Sequence, residues 1–201
     1  QNGFVSWIIL IIVLLVIIAA GIFTFSRVKK NTEDNALKPI TSLVTPYYDI
    51  EDMYQVGPYS SNNAVSGYIH NGLDFMAAED LTEYRAIAGG TVQKVEVFYD
   101  TSRNDTKPQV NVIVEYDKKT MFVYTFEPYI KDVEIANRQL SLMNVAPGDV
   151  ITAGQSLGKL IKTAPQSHVH VHISREQKEF CFASYFTDSD QKAMLTKATV
   201  A

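Results

Sequence analysis

Hydrophobic and polar positions follow two different patterns along this chain. From Phe4 to Phe25 the run FVSWIILIIVLLVIIAAGIFTF contains no charge, and as a helix it would extend roughly 33 Å, the thickness of a bilayer core. It predicts one long hydrophobic helix of transmembrane type over residues 1–26, with Trp7 near one end and Arg27, Lys29 and Lys30 at the other as interfacial anchors. Residues 27–45 are polar with one proline and read as a linker. Beyond them the pattern changes to period two. Gly90–Tyr99, Val110–Tyr116 and Met121–Phe126 are short β-branched and aromatic runs separated by turn-rich stretches, which predicts a small, mostly antiparallel β domain over residues 46–187. Residues 188–201 are polar again and read as a tail or short helix.

Composition narrows the function classes. Eighteen Lys and Arg against 22 Asp and Glu leave a net charge of −4, so the chain as a whole carries no basic footprint for nucleic acid. Cys181 is the one cysteine, which excludes an intramolecular disulfide framework and Cys-rich zinc modules. Asn104-Asp105-Thr106 is formally a glycosylation acceptor that matters only on an extracellular chain. The basic cluster after the apolar run would keep the domain in the cytoplasm under the positive-inside rule, but the first residue is Gln1, and a basic stretch ahead of it would reverse that bias.

The four histidines carry the candidate chemistry: His70, His168, His170 and His172. In Ser167-His168-Val169-His170-Val171-His172-Ile173 alternation makes one face of a strand imidazole and the other aliphatic. Taken alone, this is either a solvated edge strand or a set of metal ligands, since neutral imidazole is a common zinc donor. Upstream, His70 and Asp74 lie four apart across an Asn71-Gly72 turn and are placed to face one groove. His172 lies further along its strand than one ion reaches and is a weaker ligand candidate. Tyr116 and Tyr124 read as core or cross-strand residues more than groove lining, and Glu79-Asp80 as a solvated turn.

These residues resemble the lysostaphin/LytM-like zinc endopeptidases that cut peptide cross-bridges of bacterial cell walls. His70-x-Gly72-x-Asp74 is similar to that family's first motif, and Ala86–Val92, Val112–Tyr116 and Met121–Tyr124 to the strands that follow. Val145–Gly158 is similar to its glycine-punctuated segment, and His168-Val169-His170 to its final His-x-His. The resemblance implies that His70, Asp74 and His170 hold one zinc ion, that His168 is a catalytic histidine beside it, and that the partner is a peptidoglycan peptide or another cell-surface component outside the cytoplasm. Zinc in such a site acidifies a water and polarises the scissile carbonyl. A neighbouring imidazole can then move the proton or steady the oxyanion.

Three departures point to weak or absent activity. The family carries a second active-site histidine shortly after a hairpin tyrosine, where this chain continues Tyr124-Thr125-Phe126. Lys159–Gln166 replaces a Gly/Ser/Thr-rich turn, and His172 stands where the family has glutamate. The N-terminal Gly3-Phe4 also resembles, over a few residues, the junction preceding the hydrophobic helix of type IV prepilins, although the early glutamate of pilins is missing. Two expectations follow from these features: a membrane-anchored zinc peptidase or its degenerate relative, or a subunit of a surface filament or homo-oligomer assembled through residues 4–25.

Overall fold

The computed structural model describes residues 37–59, 62–63, 68–99 and 107–198. The expected apolar helix, with its anchor and filament readings, and the Asn104 sequon lie outside these residues. Among the described residues no helix is long and apolar enough to cross a membrane. The chain divides into two compact units, residues 1–37 and 38–201, and every element below belongs to the second.

In chain order the strands are β1 (Met53–Gly57), β2 (Asn62–Asn63), β3 (Tyr68–Ile69), β4 (Leu73–Ala77), β5 (Thr82–Arg85), β6 (Gly90–Tyr99), β7 (Pro108–Asp117), β8 (Thr120–Glu127), β9 (Val150–Ile151), β10 (Ser156–Leu160), β11 (His168–Arg175) and β12 (Lys178–Glu179). Helix α1 (Val133–Ser141) follows β8, and α2 (Asp188–Thr196) follows the last strand. The main sheet is antiparallel in the order β1-β4-β11-β8-β7-β6-β9, with β12 paired to the end of β11. The expected mostly β, antiparallel architecture is therefore present.

Alternation explains which side of this sheet is core. Val169, Val171 and Ile173 of β11 are wholly buried, and across the β8–β11 ladder they pair with Phe126, Tyr124 and Phe122, which are wholly buried as well. Directly paired residues share a face, so these six side chains form one apolar layer. Tyr124 belongs to it: its hydroxyl accepts the Ile87 amide at 2.9 Å, and burial raises its pKa. Tyr116 caps the same region, donating to the Pro39 carbonyl at 2.9 Å.

Residues 38–45 extend this unit upstream of the boundary expected at residue 46. Ile40 and Leu43 are core residues, and the amides of Leu43 and Val44 donate to Tyr185 and Ile87 carbonyls, each at 3.0 Å. The segment has no period because it docks through isolated backbone bonds. At the β7–β8 turn Asp117 accepts the amides of Lys119 and Lys38 at 2.9 and 3.0 Å. Burial raises the Asp117 pKa, but these bonds more than offset it and the carboxyl ends below its ordinary value. After α2, the chain returns to β1, where Val56 donates to Lys197 at 2.9 Å.

Candidate metal centre

β4 and β11 are neighbours in the sheet, with His170 in register with Asp74 and His168 with Met76. The chain thus joins residues about a hundred positions apart. His70 sits just ahead of the turn into β4, and its Nδ1 donates to the Pro58 carbonyl at 2.7 Å. That bond assigns the tautomer and leaves Nε2 as the metal-binding lone pair. His70 Nε2 lies 3.0 Å from Asp74 Oδ1 and 3.1 Å from His170 Nδ1, and His170 Nδ1 lies 2.8 Å from Asp74 Oδ1.

Three donors at these separations fit zinc. Bond lengths near 2.05 Å in a tetrahedron require donor pairs about 3.3 Å apart, so an outward shift of a few tenths of an ångström opens the cluster for an ion. All three groups can present an unprotonated donor atom, and they are the His-Asp-His group among the described residues able to hold a metal ion. The expected ligands His70, Asp74 and His170 are therefore brought together.

Gly72 explains the glycine between them. A Cβ there would lie 2.3 Å from the Val171 carbonyl oxygen and 2.6 Å from His170 Cε1, distances that hard-sphere contact forbids. Gly72→Ala is expected to push the turn off β11, costing roughly 1–3 kcal/mol and weakening zinc binding. A denaturant melt and a zinc titration of the same variant check both effects, and unchanged zinc affinity would mean that the turn yields without moving His170. Gly57 acts similarly across β1, where a Cβ would meet that of Asp74 at 3.0 Å.

The expected catalytic residue, His168, stands beside the cluster. Its Nδ1 donates to the Gln166 carbonyl at 2.7 Å, and its Nε2 lies 3.5 Å from Asp74 Oδ1 and 3.6 Å from Glu127 Oε1. Ser167 sets the entry into β11, accepting the amides of Thr163 and Ala164 at 3.0 and 3.1 Å and donating to the Pro128 carbonyl at 2.7 Å. This is how the Lys159–Gln166 segment closes. His172 stays outside the cluster: its Nε2 faces Glu179 Oε1 at 4.0 Å, and burial with the nearby His170 charge lowers its pKa to about 4.

Phe126 is not where the comparison with the peptidase motif placed it. It pairs with Val169, is wholly buried and packs edge-on against Tyr84 with ring centroids 5.9 Å apart. It therefore points away from His168 and His170, and its identity does not empty a position in the groove. The β8 residues in register with His168 and His170, and therefore on their face, are Glu127 and Thr125. Glu127 was missed because a single sequence does not reveal which phase of β8 faces β11; the alternation was visible and the register was not.

The charged groups of the cluster act on one another. Burial opposes the ionised Asp74, yet the surrounding His168, His170 and His70 hold its pKa well below the ordinary carboxylate value. Burial also penalises protonated His70, but the hydrogen bond and charge of Asp74 leave its pKa raised. For His168 burial is likewise outweighed, first by Asp74 and then by Glu127, and the pKa rises to about 10. A raised imidazole pKa stabilises the fold fully below the unfolded value of 6.5 and loses that contribution as pH rises through the folded one. The metal-free chain is thus expected to melt at a lower temperature at about pH 9 than at about pH 6. Zinc should raise the melting temperature more at about pH 8 than at about pH 6, because binding needs neutral imidazoles. Equal zinc-induced shifts at the two pH values would contradict the ligand set.

No protein-family model matches this sequence, and no curated protein matches it. Among solved structures, a protein described as peptidase M23 from Pseudomonas aeruginosa is 22% identical over 75% of this chain and 52% of its own, with a TM-score of 0.48. Lysostaphin is 20% identical over 78% of this chain and 57% of its own, with a TM-score of 0.46. A zinc containing peptidase from Vibrio cholerae is 14% identical over 70% of this chain and 39% of its own, also at 0.46. The chain spans roughly half the length of the first two.

Proposed function

We propose that residues 38–201 form a zinc endopeptidase-type domain that acts on peptide cross-bridges of the cell wall, outside the cytoplasm, tethered by the apolar run at residues 4–25. The observation that carries this reading is the convergence of His70, Asp74 and His170 to within 3.1 Å of one another. Zinc, when bound, supplies Lewis-acid polarisation of a peptide carbonyl and acidifies water. His70 and His170 would hold the ion as neutral donors, the Pro58 carbonyl fixing the His70 tautomer, and Asp74 would contribute the negative charge. His168 Nε2 faces the same point and is placed to donate to an oxyanion or to pass a proton to a leaving amine.

Turnover is expected to be slow. One imidazole, His168, stands beside the ligand set; His172 turns toward Glu179. Losing a single transition-state donor costs about 10²–10³ in rate. The test is zinc per chain after dialysis at neutral pH, followed by incubation of the loaded chain with a wall cross-bridge peptide. About one zinc per chain, with slow cleavage that a chelator stops, is the expected result. A chain that retains no zinc would overturn the assignment.

A further inference from the structure

We infer that Glu127 is a positioning residue for His168, on the groove face of β8 one residue beyond Phe126, the position at which the resemblance to the peptidases implies another histidine. The inference rests on the metal-site reading above and adds to it a residue that no motif marked. Three observations converge on it. Glu127 is in register with His168 across the β8–β11 ladder, so its side chain is on the imidazole face. Its Oε1 lies 3.6 Å from His168 Nε2, and its side chain is only 14% exposed, which is rare for a carboxylate without a partner. His168 Nδ1 is committed to the Gln166 carbonyl, so the other ring nitrogen alone remains to be oriented.

Two carboxylates flank that nitrogen, Asp74 at 3.5 Å and Glu127 at 3.6 Å. Asp74 Oδ1 also faces His70 and His170 and serves the cation, so it cannot by itself aim His168. Among the described residues Glu127 faces none of the other three cluster members. With Gln166 bonded to Nδ1 and the Glu127 carboxylate 3.6 Å from Nε2, the imidazole is drawn by charge toward the cluster side and away from the neighbouring Tyr129 ring, whose centroid is 6.4 Å away, while its Nε2 proton is not consumed by a hydrogen bond to Glu127.

The test compares wild type, Glu127→Ala and Glu127→Gln as the full chain loaded with Co²⁺, reading the paramagnetically shifted ring protons of each histidine by NMR. In Glu127→Ala the His168 ring signals are expected to move or broaden away, while cobalt stoichiometry and the His70 and His170 signals stay as in wild type. Glu127→Gln, which keeps an acceptor oxygen of the same reach, is expected to restore most of the wild-type His168 shift. His168 signals that coincide in all three proteins would overturn the inference. Failure of wild type to take up cobalt would instead count against the metal site, and ring-to-ring cross-relaxation between His168 and Tyr129 in the metal-free chain then decides the question. A change in that contact in Glu127→Ala that Glu127→Gln reverses supports the positioning role; an unchanged contact in Glu127→Ala overturns it.

Discussion

Phe126→His is expected to destabilise the domain by roughly 3–5 kcal/mol and to add no peptidase activity. From the motif alone the opposite would follow, since a histidine at this position would restore the missing active-site imidazole. The ladder decides between them. Phe126 is wholly buried opposite Val169 and against Tyr84, so an imidazole there replaces an apolar ring with two nitrogens that need partners in a layer made of Val169, Val171, Tyr124 and Phe122. Tyr84 has no proton to give such a ring, because its hydroxyl already donates to the Phe75 carbonyl at 2.6 Å. Urea melts of the variant measure the loss, and Phe126→Leu, which keeps the site apolar, should cost less. A gain in wall-peptide hydrolysis by the histidine variant would show that β8 pairs with β11 in another register.

His170→Ala is expected to reduce retained zinc from about one ion per chain to less than about a tenth. His170 is the candidate donor from β11, which the β4–β11 ladder sets beside the β3–β4 turn; without it, His70 and Asp74 remain as a two-ligand fragment four residues apart. The thermal shift on adding zinc should vanish with it, since a ligand that no longer binds the native state no longer stabilises it. His172→Ala is the matched control on the same strand and face. Its Nε2 is directed at Glu179, so zinc retention should be unchanged. Equal losses in the two variants would mean that the strand, and not the donor, was damaged.

The strands were legible because they depend on short-range periodicity, whereas the ligand trio His70, Asp74 and His170 followed from the resemblance to the peptidase motifs and not from periodicity alone. Alternation in residues 168–173 separates imidazoles from aliphatics before any partner strand is known, and the four-residue spacing of His70 and Asp74 across Asn71-Gly72 anticipates their common direction. What was not legible depends on pairing. Whether residue 126 or 127 faces His168 is a one-residue choice of phase, and a slip of one residue inverts every side chain of a strand. The docking of residues 38–45 was hidden for a related reason: its bonds to Tyr185 and Ile87 satisfy the backbone without imposing a repeat on the side chains. The carbonyl of Pro58, which orients His70, is invisible to any motif because every residue has one.

The two halves of the metal cluster are separated in the chain by β5 through β10 and joined only when β4 lies against β11. A chain still being synthesised, or one unfolded at either strand, owns just the His70–Asp74 fragment and cannot hold the ion firmly. On the proposed ligand assignment, capture of zinc would be a late event, following closure by the sheet of a loop of about a hundred residues. In such a protein the ion serves as a certificate of completed folding as much as a reagent, and a chain truncated before β11 would be recognisable by its inability to retain it.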